Sequence, residues 1–320
     1  CKMAFMPGSL KNLIKGLLFG IAIGDALGVP VEFRSRSSLQ KAPVTDMHGY
    51  GTHHQPPGTW SDDSALTFCL VEQLIEGFSI EGLAQKIQLW YFENYWTPHG
   101  SVFDIGIATR NAIDRLEKGV SPEASGESGE YSNGNGSLMR LLPLAFSLKN
   151  SPISERFDRV SEVSSITHGH IRSRIVCFFA VEFLIQLLKG KDKVEAYQNT
   201  QHTVRDFVNS IDCAGDEKEL FVRIFYDDIR QLPEQEIFSS GYVVHTLEAS
   251  LWCFLTTDSF EAAVLKAVNL GDDTDTTGAV TGGMAGLYYG FSAIRPKWVK
   301  LVARSGEIEH LSERFAALYQ

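Results

Sequence analysis

Two short stretches carry the residue types that chemistry needs. Leu270–Thr277 reads Leu-Gly-Asp-Asp-Thr-Asp-Thr-Thr, three carboxylates within four residues with hydroxyls between them. Pro57–Ser64 reads Pro-Gly-Thr-Trp-Ser-Asp-Asp-Ser, a second acid–hydroxyl cluster far earlier in the chain. Each runs into an apolar segment, so each is expected at a helix N-terminus, where Asp, Ser and Thr satisfy free N–H groups and negative charge suits the dipole. Ser61 is a good N-cap for the earlier one. Capping needs one or two acids, however, not three. In a continuous helix Asp273 and Asp275 would point about 200° apart, so they converge only if a turn leads into the helix. Converging carboxylates repel unless a proton or a cation lies between them. Hard oxygen donors, with Thr276 as a hydroxyl, suit Mg²⁺ or Mn²⁺. If the two clusters meet, Asp62, Asp63, Asp272, Asp273 and Asp275 share one site, a charge that two divalent ions would largely balance.

The elements that must position these groups are helical. Gly278–Gly290 is uncharged and rich in small residues, which reads as a buried helix whose backbone lies close to its neighbours. Leu10–Ile23 has helical spacing and ends in Gly24-Asp25-Ala26-Leu27-Gly28-Val29-Pro30, with Gly28 and Pro30 as breakers. Asp25 and Glu32 sit in apolar company, as structural acids do. Arg34–His54 reads as a polar loop. Ile80–Phe92, Asp104–Leu116 with Asp104 at its start, Leu138–Leu148, Ile171–Leu188, Glu219–Ile229, Tyr242–Leu255, Phe260–Leu270 capped by Ser259, Trp298–Val302 and Ile308–Leu318 read as helices. Glu117–Tyr131 reads as a mobile loop, and Gly190–Gly215 as charged and polar. Strand-like alternation is scarce. The expectation is an all-α fold in a single domain from 10 to 320, since both acid clusters need the same core, with residues 1–9 as a disordered tail.

The chain has 320 residues, 44% of them hydrophobic and 21% charged, the balance of a soluble globular protein with a large core. A net charge of −10 argues against nucleic acid as the main partner. Five cysteines without CxxC spacing point to a reducing cytoplasm and to neither disulfides nor zinc. No stretch reads as long enough to span a membrane.

Two further motifs suggest a ligand. Ser132-Asn133-Gly134-Asn135-Gly136-Ser137 is a turn with exposed N–H groups before a helix, suited to a phosphate or a ribose. It lacks the lysine of a P-loop. Thr167-His168-Gly169-His170 has poor spacing for metal ligation from one helix face, so a ligand-contacting or structural histidine is the better reading.

Together, Gly24-Asp25-Ala26-Leu27-Gly28 with Glu32-Phe33, Trp60-Ser61-Asp62-Asp63-Ser64, Asn135-Gly136-Ser137-Leu138-Met139-Arg140, Thr167-His168 and Gly271-Asp272-Asp273-Thr274-Asp275-Thr276 resemble the ADP-ribosylglycohydrolase family. The opening looks most like its bacterial branch typified by dinitrogenase reductase-activating glycohydrolase. The resemblance implies an all-α fold with a two-metal centre, Mg²⁺ or Mn²⁺, in a cleft. It assigns Ser61, Asp62, Asp63, Asp273, Asp275 and Thr276 to the metals, with Ser61 standing where the family has Thr. Asp272 falls outside that set. Glu32 matches an acid on a flap over the metals, and Asp104 an acid beside the substrate. Asp63, Asp104 and Glu32 are thus the acids expected in the reaction. Asn135, Gly136, Ser137 and His168 match positions that contact ADP-ribose, and Met139 belongs to the same motif.

The implied activity is hydrolysis of the ribosyl bond of an ADP-ribosylated protein, with arginine as acceptor and ADP-ribose as product, by a monomer with no membrane partner. Rivals are the same hydrolysis on serine or a small molecule, another helical metal-dependent hydrolase such as a phosphohydrolase, and a non-catalytic ADP-ribose- or partner-binding relative. The absence of any His-Asp doublet disfavours the common helical phosphohydrolase type.

Overall fold

The computed structural model describes residues 8–319, and at its centre two helices touch through their backbones. Leu10–Gly28 carries glycine at 16, 20, 24 and 28, and Thr274–Tyr289 carries it at 278, 282 and 286. A Cβ on Gly20 would lie 2.1 Å from the Gly282 oxygen, and one on Gly24 2.0 Å from the Gly278 oxygen. The pairing Gly16–Gly286, Gly20–Gly282, Gly24–Gly278 runs antiparallel. Glycine costs helix propensity at each position, and close packing offsets that cost. The first helix runs through Gly24 and ends at Gly28, ahead of Pro30, where breakers are expected, and the glycines inside it form a packing face.

The other helices wrap this pair into one shared hydrophobic core. Among the described residues there are eighteen α-helices and four 3-10 turns, with no β-structure beyond isolated bridges, so the all-α expectation holds. Ile80–Glu93, Ile171–Leu188, Val243–Leu255 and Phe260–Val268 fall where helical periodicity puts them. Ser259 caps the last of these, accepting from the Ala262 N–H at 3.1 Å.

Several expectations need correction. Leu138–Leu148 is two short helices, Leu138–Leu141 and Leu144–Leu148, separated around Pro143. The polar stretch Gly190–Gly215 contains the long helix Lys193–Ser210, capped by Asp192 and buried along Ala196, Tyr197, Val204 and Val208. Ile153–Ser165 is a further helix, amphipathic through Ile153, Phe157, Val160 and Val163, that the expectation omits, and the loop after Arg34 contains the helical turn Arg36–Lys41. Residues 1–7 of the expected tail lie outside the described residues, whereas Ser9 caps the first helix.

One exclusion also changes. Leu10–Val31 is long and apolar enough to cross a membrane, with a mean hydropathy of 1.6, yet 94% of that window is buried inside the protein. It is the core helix of the fold.

Candidate active site

The glycine contact delivers the two acid clusters to one place. Gly28 comes so close to the second helix that a Cβ on it would lie 2.4 Å from the Asp275 Cα, and the Thr274 hydroxyl donates to the Gly28 carbonyl at 2.8 Å. The start of Thr274–Tyr289 is thereby fixed beside Asp25. The approach is the turn that converging carboxylates require. Gly271 and Asp272 both have positive φ, at 82° and 58°, and Asp273 is the N-cap. Asp272 is exposed, while Asp275 is buried.

The helix Asp62–Glu76 arrives from the other side. Ser61 is its N-cap as expected, accepting from the Asp63 N–H at 3.3 Å and donating to Asp63 Oδ2 at 3.0 Å. Asp25 holds this helix start from below. Its carboxylate accepts from the Ser61 N–H at 2.9 Å, the Ser64 N–H at 3.1 Å and the Ser64 hydroxyl at 2.6 Å. The two clusters meet directly where the Thr276 hydroxyl donates to Asp63 Oδ2 at 3.3 Å. Asp25, Asp63 and Asp275 each offer an oxygen within 4.8 Å of the others, as do Glu32, Asp273 and Asp275.

So many buried acids perturb one another. Burial, then repulsion among their neighbours, pushes Asp62, Asp63 and Asp275 well above the usual carboxylate range. Burial lifts Asp25 and Glu32 to about 7. Asp273 is raised by burial and partly relieved by the Asn135 amide, which donates to its Oδ2 at 2.9 Å. The buried Oδ1 atoms of Asp63 and Asp273 have no hydrogen-bond partner among the described residues. Orphaned carboxylate oxygens aimed into an acid cluster fit hard divalent cations, which supply the missing partners and cancel the repulsion.

Above the acids lies a cleft of about 380 Å³, lined by Glu32, Asp62, Asp104, Asn135, Asp273 and Thr276 among others. Gly136, Met139 and His168 also line it, as expected of substrate contacts. Burial and the nearby Arg140 hold His168 down at about 3, so its imidazole is neutral. His170 does different work, capping Ile171–Leu188 with its ring nitrogen. Ser137 departs from expectation. Its side chain is fully buried, accepting from the Ser164 hydroxyl at 3.0 Å and sitting 3.3 Å from Cys177 Sγ, away from the cleft lining.

Asp104 also differs from its expected place. It does not open a helix. The helix is Ile107–Glu117, its N-cap is Gly106, and no side chain caps it. Asp104 is therefore free of capping work and faces the cleft, where burial raises its carboxyl. The uncapped first turn, Ile107 to Thr109, forms part of the wall, as does Gly241. No sequence signal marks either, nor His53, whose ring nitrogen contacts Glu32. Among the described residues, no lysine or arginine lines the cleft.

This constellation has known counterparts. A family model described as ADP-ribosylglycohydrolase matches residues 6–320. The ADP-ribosylarginine hydrolase Tri1 of Pseudomonas putida (strain GB-1) is 35% identical over 312 residues, covering 96% of this chain and 78% of that protein. The ADP-ribosyl-[dinitrogen reductase] glycohydrolase of Rhodospirillum rubrum is 26% identical, covering 91% and 90%. A solved structure described as an ADP-ribosylglycohydrolase-related protein complex superposes with a TM-score of 0.81 at 30% identity, covering 97% of this chain and 99% of that one. With the motifs joined in space and the match running through the whole described chain, the protein belongs to the ADP-ribosylglycohydrolase family.

Proposed function

We propose that the protein hydrolyses the bond between ADP-ribose and an arginine side chain of a modified protein. The observation that carries this reading is the meeting of two acid–hydroxyl helix starts, Ser61-Asp62-Asp63 and Asp273-Thr274-Asp275-Thr276, beneath a cleft with no lysine or arginine among the described residues of its lining. Similarity to the ADP-ribosylarginine hydrolase Tri1, of which this chain covers 78%, favours arginine as acceptor.

Ser61, Asp62, Asp63, Asp273, Asp275 and Thr276 are the residues that would hold two ions, Mg²⁺ or Mn²⁺. When bound, the ions supply Lewis acidity toward the ribose hydroxyls and a water, and charge balance for the acids. The chain does the rest. Asn135 fixes the orientation of Asp273, and Asp25 fixes the start of the 62–76 helix. The free N–H groups at the start of Ile107–Glu117 and the Asn135-Gly136 turn offer donors to a pyrophosphate, which suits a cleft without cationic side chains. At the anomeric carbon the water oxygen forms its bond as the carbon–nitrogen bond to guanidine breaks, through an oxocarbenium-like state. Glu32 and Asp104, which face the cleft, are the groups to take the proton from water and return one to the departing nitrogen.

The test is release of ADP-ribose from an ADP-ribosylarginine protein in Mg²⁺, Mn²⁺ or EDTA. Release with metal and none in EDTA is expected. No release with either metal, while ADP-ribose still binds, would move the reading to another acceptor such as serine.

A further inference from the structure

Glu32, like Asp104, is a cleft acid that no helix holds. It follows the 3-10 turn Val29–Val31 in extended backbone, with φ −53° and ψ 143°. Its carboxylate has one side-chain hydrogen bond among the described residues, to Nε2 of His53. Nothing in the motifs or in the relatives' names points to His53.

The segment that carries His53 is built onto the stretch of chain that carries Glu32. Tyr50 and Gln55 close a tight reversal, the Tyr50 N–H donating to the Gln55 carbonyl at 2.5 Å. Thr52 pins that reversal, donating its N–H to the Pro30 carbonyl at 3.0 Å and its hydroxyl to the Glu32 carbonyl at 2.7 Å. The approach at Gly51 is so close that a Cβ there would lie 1.8 Å from the Pro30 oxygen. The imidazole is then packed between two rings, with centroids 6.1 Å from Phe33 and 5.3 Å from Phe103. A ring nitrogen lies within 4.8 Å of carboxylate oxygens of both Glu32 and Asp104. His53 itself does not line the cleft.

We propose that His53 is a positioning residue for the reaction: its Nε2–H, held by the Tyr50–Gln55 reversal between Phe33 and Phe103, fixes the Glu32 carboxylate in the cleft and stands between Glu32 and Asp104. A carboxylate on extended backbone has several rotamers, and only some face the anomeric carbon. A donor clamped between aromatic rings selects among them before substrate arrives. This inference rests on the reading that Glu32 handles a proton at the ribosyl bond.

The experiment compares His53→Phe, His53→Gln, Glu32→Gln and the double variant His53→Phe/Glu32→Gln. Phenylalanine keeps the ring between Phe33 and Phe103 and removes the donor. Glutamine restores an amide N–H. In His53→Phe, kcat on the ADP-ribosylarginine protein falls about 10- to 100-fold, with KM and calorimetric ADP-ribose affinity near wild type. His53→Gln recovers part of that loss, and the double variant is no worse than Glu32→Gln alone. Wild-type kcat in His53→Phe, or losses that multiply in the double variant, would overturn the proposal. An inactive wild-type enzyme would bring down the functional reading separately. The contact is then read from the ¹⁵N resonance of the His53 ring, which shifts in Glu32→Gln if His53 holds that carboxylate and stays put if it does not.

Discussion

The side-chain amide of Asn135 donates to Asp273 Oδ2 and to the Thr246 hydroxyl, both at 2.9 Å, and leaves Asp273 Oδ1 buried without a partner among the described residues. A residue of the Asn-Gly-Asn-Gly turn therefore decides which oxygen of a cluster acid is free. Asn135→Ala should keep the fold and weaken divalent cation binding about 10- to 100-fold, the usual loss when the support of a ligand is removed. Mn²⁺ calorimetry checks this. Unchanged affinity would mean that Asp273 is oriented by its capping position alone.

Asp275 sits within reach of both acid groups, one with Asp25 and Asp63 and one with Glu32 and Asp273. Asp275→Ala should abolish ADP-ribose release while circular dichroism still shows a helical protein, because the helix stays packed through its glycines against Leu10–Gly28. Wild-type-like turnover in this variant would defeat the metal reading of the cluster.

Glu32 approaches the cluster from outside either helix. Glu32→Ala should therefore lower turnover by about 100-fold or more, as loss of a proton-transfer group does, with metal affinity little changed. A calorimetric titration showing lost metal binding would reassign Glu32 to the ligand set.

How much of this is legible in the sequence depends on range. The acid–hydroxyl clusters stand out because residue type and helix start coincide locally, but their meeting is only a condition in the sequence, and it is the packing of the glycine helices that delivers it against the repulsion of the acids. Contacts between distant loops leave no such mark. His53 reaches Glu32 through a reversal pinned to Pro30, and Gly241 enters the wall through its carbonyl, which accepts from the Asn135 N–H at 3.0 Å. Neither has a periodic signature. Ser137 defeats the expectation because a motif position does not say which way its hydroxyl points. The helix Lys193–Ser210 is hidden by its polar face, and the glycines four apart in the first helix give no sign of their partner until the second backbone fills the groove.

The metal-free protein should lose stability as pH rises from about 4 to about 7. A carboxyl whose folded value is raised favours folding fully below its unfolded value, and that contribution is lost as pH climbs to the folded value. Asp25 and Glu32, at about 7 through burial, set this window, and Asp62, Asp63 and Asp275, also raised by burial, act in the same sense. His168, lowered to about 3, and His170 and His245, also lowered by burial, act in the opposite sense below their ordinary value, but Asp104, Asp273, Glu182 and Glu248 join the raised acids, three groups against nine. Asp46, held low first by its bond to Lys297, matters only in more acid solution. Thermal melts in EDTA should show a falling Tm across that window, and Mg²⁺ or Mn²⁺ should restore it at pH 7. A Tm that rises from pH 4 to pH 7 in EDTA would contradict the buried cluster.

The glycine contact should be the least tolerant surface in the fold, and its failure should reach the site. A Cβ on Gly24 would lie 2.0 Å from the Gly278 oxygen, a backbone atom that no rotamer change can move. Gly24→Ala must push the two helices apart, at a cost of about 1–3 kcal/mol or more for overpacking. The displacement falls one residue from Asp25 and one turn from Asp275, so cation affinity should drop together with Tm. Gly306 offers the contrast, since it lies in the helix Ser305–Ala317 with nothing within 4 Å of where a methyl group would stand. Gly306→Ala should be neutral or stabilising by about 0.4–1 kcal/mol, through the unfolded chain. Equal melting temperatures for the two variants would mean that the central helices slide without penalty, and that the acids are held by their caps rather than by the backbone contact beneath them.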